Sequence, residues 1–108
     1  MSSFSPSSNT GCLSATTTSS SAAIPLPGTL TAWNHEVQVA NTGTAAVFVA
    51  FGTSAVTVVA PIVGTPANGI PVPAGAVVTF SLSGQSHIGV LASTGTNAVY
   101  FTAGIGSA

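Results

Sequence analysis

The sequence predicts an all-β fold, namely a small antiparallel β-sandwich or jelly-roll-like barrel of six to seven strands. Short runs of β-branched and other apolar residues are separated by turn sequences rich in Gly, Pro, Asn and Ser. No run repeats its apolar residues with the periodicity of an amphipathic helix. Short strands at such spacing, with no helix between them, are typical of two packed sheets or of a small barrel.

The strands are predicted in the part of the chain that begins at Thr29. His35, Val37 and Val39 alternate with polar neighbours, which indicates a strand with one buried face. The prolines at 71 and 73 cannot donate to a strand ladder, so residues 70–73 are expected at a sheet edge. The predicted strands cover residues 34–39, 45–51, 55–60, 70–73, 76–82, 86–92 and 97–103.

Residues 1–28 are predicted to form an extended, flexible N-terminal arm, and residues 29–108 to form the β-sandwich domain. Ser and Thr occupy 13 of the first 21 positions. Such a tract has little apolar surface to bury against the entropy of ordering it. Ile24-Pro25-Leu26-Pro27-Gly28 then predicts a lead-in stiffened by proline.

The near-absence of charge restricts the partners that the chain can have. Its 108 residues include no Lys or Arg and one acidic residue, Glu36, whereas about a quarter of the residues of an ordinary domain are charged. Nucleic acids and anionic membrane surfaces are bound largely through Lys and Arg, so neither is an expected partner. A net charge near zero gives little mutual repulsion, which predicts a homo-oligomer.

Few side chains could support catalysis or bind a metal. His35 and Glu36 are neighbours on one strand and point to opposite faces. A triad of a serine, His87 and Glu36 is formally possible, but residues 84–89 miss the G-x-S-x-G spacing by one position and no helix follows. A metal site would need His35, His87 and Glu36 to converge across strands or on a symmetry axis. The chain is therefore predicted not to be an enzyme, with no catalytic, cofactor-binding or metal-binding residues.

Four other features leave alternatives open. Trp33 and Tyr100 are interpreted as core or interface anchors, or as a platform for stacking a sugar. Glu36 is expected to face solvent or to bond to a neighbouring subunit. Cys12 is expected to be a passive thiol within the arm, since a single cysteine forms no internal disulfide. The segments TGTAAVF (42–48) and TGTNAVY (94–100) indicate either a duplicated half-domain or a turn sequence that recurs for the same physical reason.

Three segments, NTGTAAVFVAFG (41–52), IPVPAG (70–75) and STGTNAVYF (93–101), resemble the small β-rich virion proteins of tailed bacteriophages. The pattern is closest to that of capsid decoration, or cement, proteins, and the resemblance covers roughly residues 29 to 106. It implies a small β-domain, commonly a trimer, that binds and stabilises the outside of a capsid. It also implies a place on the capsid surface of the virion, after assembly in the host cytoplasm, and no catalytic residues.

The resemblance and the composition together suggest how such a protein would attach. The arm is expected to add a strand to an exposed edge of the major capsid protein or of another virion subunit. The alternatives are another phage structural module, such as a head fibre, tail or receptor-binding domain, and a carbohydrate-binding adhesion domain.

Overall fold

The computed structural model describes residues 4–24, 35–82 and 85–106. These residues form two antiparallel four-stranded sheets and no helix. The strands are β1 (Phe4–Ala15), β2 (Ser20–Ala23), β3 (His35–Asn41), β4 (Val47–Gly52), β5 (Ile70–Val72), β6 (Val77–Leu82), β7 (His87–Ala92) and β8 (Asn97–Gly106). The predicted antiparallel sandwich is confirmed. The predicted number of strands is wrong, because the described residues contain eight.

The strands pair as a nested series. Sheet A has the order β1-β8-β3-β6 and sheet B the order β2-β7-β4-β5. The first strand thus pairs with the last, the second with the seventh, the third with the sixth and the fourth with the fifth. Successive pairs alternate between the sheets, so every connection except β4–β5 crosses from one sheet to the other.

The hydrophobic core lies between the two sheets and consists mainly of valine. Because side chains alternate along a strand, each strand gives every second residue to the core. β-branched side chains suit this position, since they are stiff and pack well on a pleated surface. The largest fully buried apolar side chains are Phe101, Ile88, Val37, Val39, Val47, Val49, Val72, Val90 and Val99.

Residues 4–24 do not form the predicted flexible arm, because most of them belong to two strands of the sandwich. β1 pairs with β8 along sheet A, and β2 pairs with β7 in sheet B. Ala15 and Ile24 are buried in the core and Leu13 packs against it. Cys12 and Ser14, which alternate with Leu13 and Ala15 along β1, are exposed. Some of the Ser and Thr residues of this segment therefore lie on the outer faces of these strands, namely Thr10 and Ser14 of β1 and Ser21 of β2. Residues 25–28, with the predicted boundary at 28/29, lie outside the described residues.

The strand predicted at residues 55–60 is absent, because these residues form no strand. They belong to the β4–β5 loop (residues 53–69), which lies against the outer face of sheet B. The N–H groups of Val56 and Val58 donate to the hydroxyls of Ser21 and Ser19 at 3.0 and 2.8 Å. A Cβ at Gly89 would overlap Val58 and crowd Val56, so this glycine allows the loop to lie close to β7. The hydroxyls of Ser19, just before β2, and of Ser21, within β2, thus bind a segment whose sequence alone predicts a strand.

The other predicted strands are present. β5 is an edge strand of sheet B, as expected for a strand that contains Pro71.

Candidate interaction surfaces

Glu36 lies on the outer face of sheet A, because its neighbour Val37 points into the core. It stands opposite Ser81 of β6 in the strand register, and the Ser81 hydroxyl donates to Glu36 Oε2 at 3.2 Å. The carboxylate is half-buried. This hydrogen-bond partner is within its own chain, on the adjacent strand.

His87 lies on the other side of the molecule, on the outer face of sheet B. Its Nδ1 is 2.9 Å from the hydroxyl of Ser86, which also donates to the Thr53 carbonyl at 3.4 Å. The whole core separates His87 from Glu36, so the structure does not bring the formal Ser–His–Glu triad together. The backbone of His35 pairs with Leu82 in sheet A, and its side chain is outside the described residues.

The described residues contain no group of three or more His, Cys, Asp or Glu that could hold a metal ion. Trp33, the other sequence candidate for sugar stacking, lies outside the described residues.

Cys12 and Tyr100 are opposite each other on the outer face of sheet A. Cys12 is an exposed thiol on a strand, not in an arm, and Tyr100 is 42% exposed. The register continues this row across the sheet to Ala40 and then to Val77. A parallel row consists of polar residues, in which the hydroxyls of Thr10 and Thr102 are 2.8 Å apart: Thr10, Thr102, Gln38 and Thr79. The outer face of sheet A thus places one tyrosine beside neutral hydroxyl and amide groups.

The two matching segments of the sequence meet at one end of the sandwich. The N–H groups of Thr44 and Ala45 donate to Asn97 Oδ1 at 3.0 and 3.2 Å, and Asn97 Nδ2 donates to the Thr94 carbonyl at 3.1 Å. Asn97 is 2% exposed, so these three bonds satisfy a buried amide. The buried side chain of Asn97 therefore binds the β3–β4 turn to the β7–β8 turn.

A second buried amide, that of Asn41, completes this end. Its Nδ2 donates to the carbonyls of Ala45 and Val72 at 2.9 and 3.1 Å, and its Oδ1 accepts from the Gly43 N–H at 3.0 Å. The position that matches Asn41 in the other segment is Ser93, whose hydroxyl donates to the Ala46 carbonyl. Different side chains thus bind the two turns, and neither asparagine was among the candidates predicted from the sequence. The only sequence signal was that each lies beside a Thr-Gly-Thr turn.

The β4–β5 loop has an exposed apolar turn near its middle, the apolar tip, formed by Val59, Ile62 and Val63. Ile62 and Thr65 exchange main-chain hydrogen bonds of 3.2 and 2.9 Å and close a turn in which Gly64 has a φ of 84°. Val59 is 54% exposed, Ile62 is 69% exposed and Val63 is fully exposed. Large apolar side chains grouped on an exposed turn are typical of a contact surface.

The apolar tip stands on a base that is hydrogen-bonded on both sides. Asn68 accepts from the Val59 N–H and donates to the Thr57 carbonyl, both at 2.8 Å. The Gly69 N–H donates to the Val59 carbonyl at 3.0 Å. The tip is therefore held in place before any partner binds, which reduces the entropy lost on binding.

Comparisons with known proteins do not assign the chain to a family. No model of a protein family matches the sequence, and no curated protein matches it. Among the described residues, no helix has the length and hydropathy needed to cross a bilayer.

Proposed function

We propose that this chain is a structural virion protein that binds the outside of a bacteriophage capsid and stabilises it, with no catalytic activity. The nested strand pairing is that of a jelly roll, an arrangement found in viral capsid and lectin domains and in cupins. The resemblance of residues 41–52, 70–75 and 93–101 to phage decoration proteins supports the capsid among these uses. The observation that carries the proposal is the apolar tip, which is exposed and hydrogen-bonded at its base.

Attachment is assigned to the apolar tip because β1 and β2 are strands of the sandwich and leave no arm within residues 4–24. Burying Ile62 and Val63 in an apolar pocket of the major capsid protein contributes about 1.5–3 kcal/mol per side chain. One such contact is weak, but many copies on one shell, each a homo-oligomer, bind together with high avidity.

The proposal is tested by co-sedimentation with heads assembled without this chain. The double variant Ile62→Ser/Val63→Ser loses the burial of both side chains, about 3–6 kcal/mol together, and is expected to bind roughly 10²- to 10⁴-fold more weakly than the unmodified protein. Tyr100→Ala is the matched control, because it removes a partly exposed large side chain from the outer face of the other sheet. Undiminished attachment of the double variant contradicts the proposal.

Salt provides a second arm of the same experiment. Since Glu36 is the only charged side chain, few ion pairs can form from this side, and raising the salt from about 0.1 to 1 M should change attachment little. A steep loss of binding with salt contradicts attachment through the apolar tip.

A different phage module, such as a head fibre, tail or receptor-binding domain, shares these features and is separated by copy number. A shell protein is present in many copies over the head, whereas a tail module is present in few. Quantitative mass spectrometry of the purified particle distinguishes them.

A carbohydrate-binding domain is favoured by one specific observation, namely Tyr100 exposed beside the polar row on sheet A. An exposed aromatic ring with hydroxyl and amide neighbours suits stacking of a sugar ring. Titration of the protein against a glycan panel tests it: saturable binding that Tyr100→Ala abolishes favours this candidate over capsid attachment.

A further inference from the structure

The outer edge of β6 is the least protected edge among the described strands. Natural sheets guard their edges with charge, proline, bulges, short strands or covering loops. β5 has three residues and contains Pro71, β2 has four and is bound by the β4–β5 loop, and β1 has Pro6 and a break in register after it. β6 has six residues, VVTFSL, with no charge, proline, glycine or register break.

The hydrogen-bonding direction of β6 follows from one main-chain contact. The Asn41 N–H donates to the Ala76 carbonyl at 3.0 Å, so the residue pair 41/76 is hydrogen-bonded between β3 and the start of β6. In an antiparallel pair the main-chain groups of successive residues point alternately toward and away from the partner strand. Val77, Thr79 and Ser81 therefore direct their N–H and C=O groups to the outer edge. No described residue forms a main-chain hydrogen bond with these groups on that side.

We propose that β6 pairs with β6 of a second copy of this chain, antiparallel, about a two-fold axis that passes through sheet A at Thr79. In this register Thr79 stands opposite the partner's Thr79, and Val77 stands opposite the partner's Ser81. The outward groups of 77, 79 and 81 then match in six main-chain hydrogen bonds, two for each of three residue pairs. The two copies of sheet A become one continuous sheet.

The side chains suit the same register. Val78 stands opposite the partner's Phe80 on the core-facing side, where both side chains are now partly exposed at the sheet edge. On the outer side, Thr79 meets its own copy, while Val77, 58% exposed, gains a neighbour. Aromatic to β-branched pairs and Thr–Thr pairs are among the favourable cross-strand combinations.

Charge does not oppose the pairing. Glu36 is level with Ser81 one strand in from the edge, and Ser81 is four residues along the strand from its own copy. With about 3.3 Å per residue and about 4.8 Å between strands, the two carboxylates are about 19 Å apart. This exceeds the Debye length of about 8 Å at physiological salt, so the two charges repel each other little.

The inference concerns the isolated protein, so it stands or falls separately from attachment to a capsid. Sedimentation equilibrium in a reducing buffer, which prevents disulfides of Cys12, is expected to give twice the 10.4 kDa of one chain. A monomer, or the three-fold oligomer that the resemblance favours, overturns the inference. Heads that bind a monomeric protein would leave the proposed function intact.

Charge variants at the axis test the register. Thr79→Lys and Thr79→Glu each place two like charges face to face, and each is expected to raise the dimer dissociation constant at least tenfold. An equimolar mixture of the two variants should restore the dimer, because Lys then faces Glu. Val63→Lys adds the same charge at the apolar tip and should leave the dimer unchanged.

The fold of each variant is checked by circular dichroism and thermal unfolding, since Thr79 is exposed and its N–H is not bonded to β3. A Thr79→Lys protein that is folded and dimeric overturns the inference, as does a folded mixture that stays monomeric.

Discussion

Asn97→Ala removes the buried side chain that joins the β3–β4 and β7–β8 turns with three hydrogen bonds. It leaves the N–H groups of Thr44 and Ala45 and the Thr94 carbonyl without their partner. A buried polar group that loses its partner costs about 1–3 kcal/mol, and a group that water can reach costs less. Ala45 is half-buried while the two threonines are exposed. The expected loss in the free energy of unfolding is therefore about 2–4 kcal/mol.

Equilibrium unfolding in urea measures this loss, with Asn68→Ala as the matched control. Asn68 also bonds a loop through its amide, with two hydrogen bonds of 2.8 Å, but its side chain is exposed. Water replaces those partners, so Asn68→Ala should cost no more than about 1 kcal/mol. The reasoning is refuted if Asn97→Ala costs no more than Asn68→Ala.

A double-mutant cycle with Gly43→Ala tests whether the Asn97 side chain fills the space beside Gly43. A Cβ added at Gly43 would overlap the Asn97 side chain, so Gly43→Ala should destabilise the unmodified protein. In the Asn97→Ala background the overlaps with Oδ1 and Cγ are gone and only that with the Cβ of residue 97 remains, so Gly43→Ala should cost measurably less. Strict additivity of the two changes would show that the Asn97 side chain does not fill this space.

Two further predictions concern the strands themselves. Removing residues 2–21 deletes β1 and half of β2, which exposes β8 and opens the core. The cooperative unfolding transition should therefore be lost. A truncated chain that still unfolds cooperatively contradicts the placement of β1. Phe101→Ala should cost about 3–5 kcal/mol, because the ring is buried, whereas Tyr100→Ala, one residue earlier on the same strand, should cost about 0.5 kcal/mol. Similar losses for the two aromatic variants, measured by urea unfolding, would contradict the placement of Phe101 on the core-facing side of β8 and of Tyr100 on its outer side.

The strands that the sequence predicted well are those whose pattern is local. The alternation of Val37 and Val39 with polar neighbours marked β3, and it is these valines that are buried. Pro71 correctly limited β5 to an edge. In both cases the physical constraint acts within a few residues, so no knowledge of the partner strand was needed.

The N-terminal strands were missed because composition was averaged over the whole tract. Leu13 and Ala15 face the core in alternation with Cys12 and Ser14, the same period-two pattern that marked β3. Thirteen Ser and Thr residues among the first 21 hid this pattern, although a strand needs apolar residues on only one face.

The contacts that define the candidate surfaces could not be predicted, because they join distant segments. Asn97 binds Thr44 across 53 positions of sequence, and Ser81 donates to Glu36 across 45. Each contact depends on sheet register, which a single sequence does not specify. The outward hydrogen-bonding direction of Thr79 likewise follows only from how β3 pairs with β6.

Neutral polar side chains do in this protein what ion pairs do in many others. Hydroxyls of Ser19 and Ser21 bind the β4–β5 loop, and the amides of Asn41 and Asn97 join the turns at one end. These bonds are not screened by salt, unlike those between exposed charges. The same lack of charge removes the usual protection of sheet edges, so the composition that makes the fold independent of salt also leaves β6 open to a second strand. Glu36, one strand in from that edge and bonded to Ser81, is too far inside to protect it.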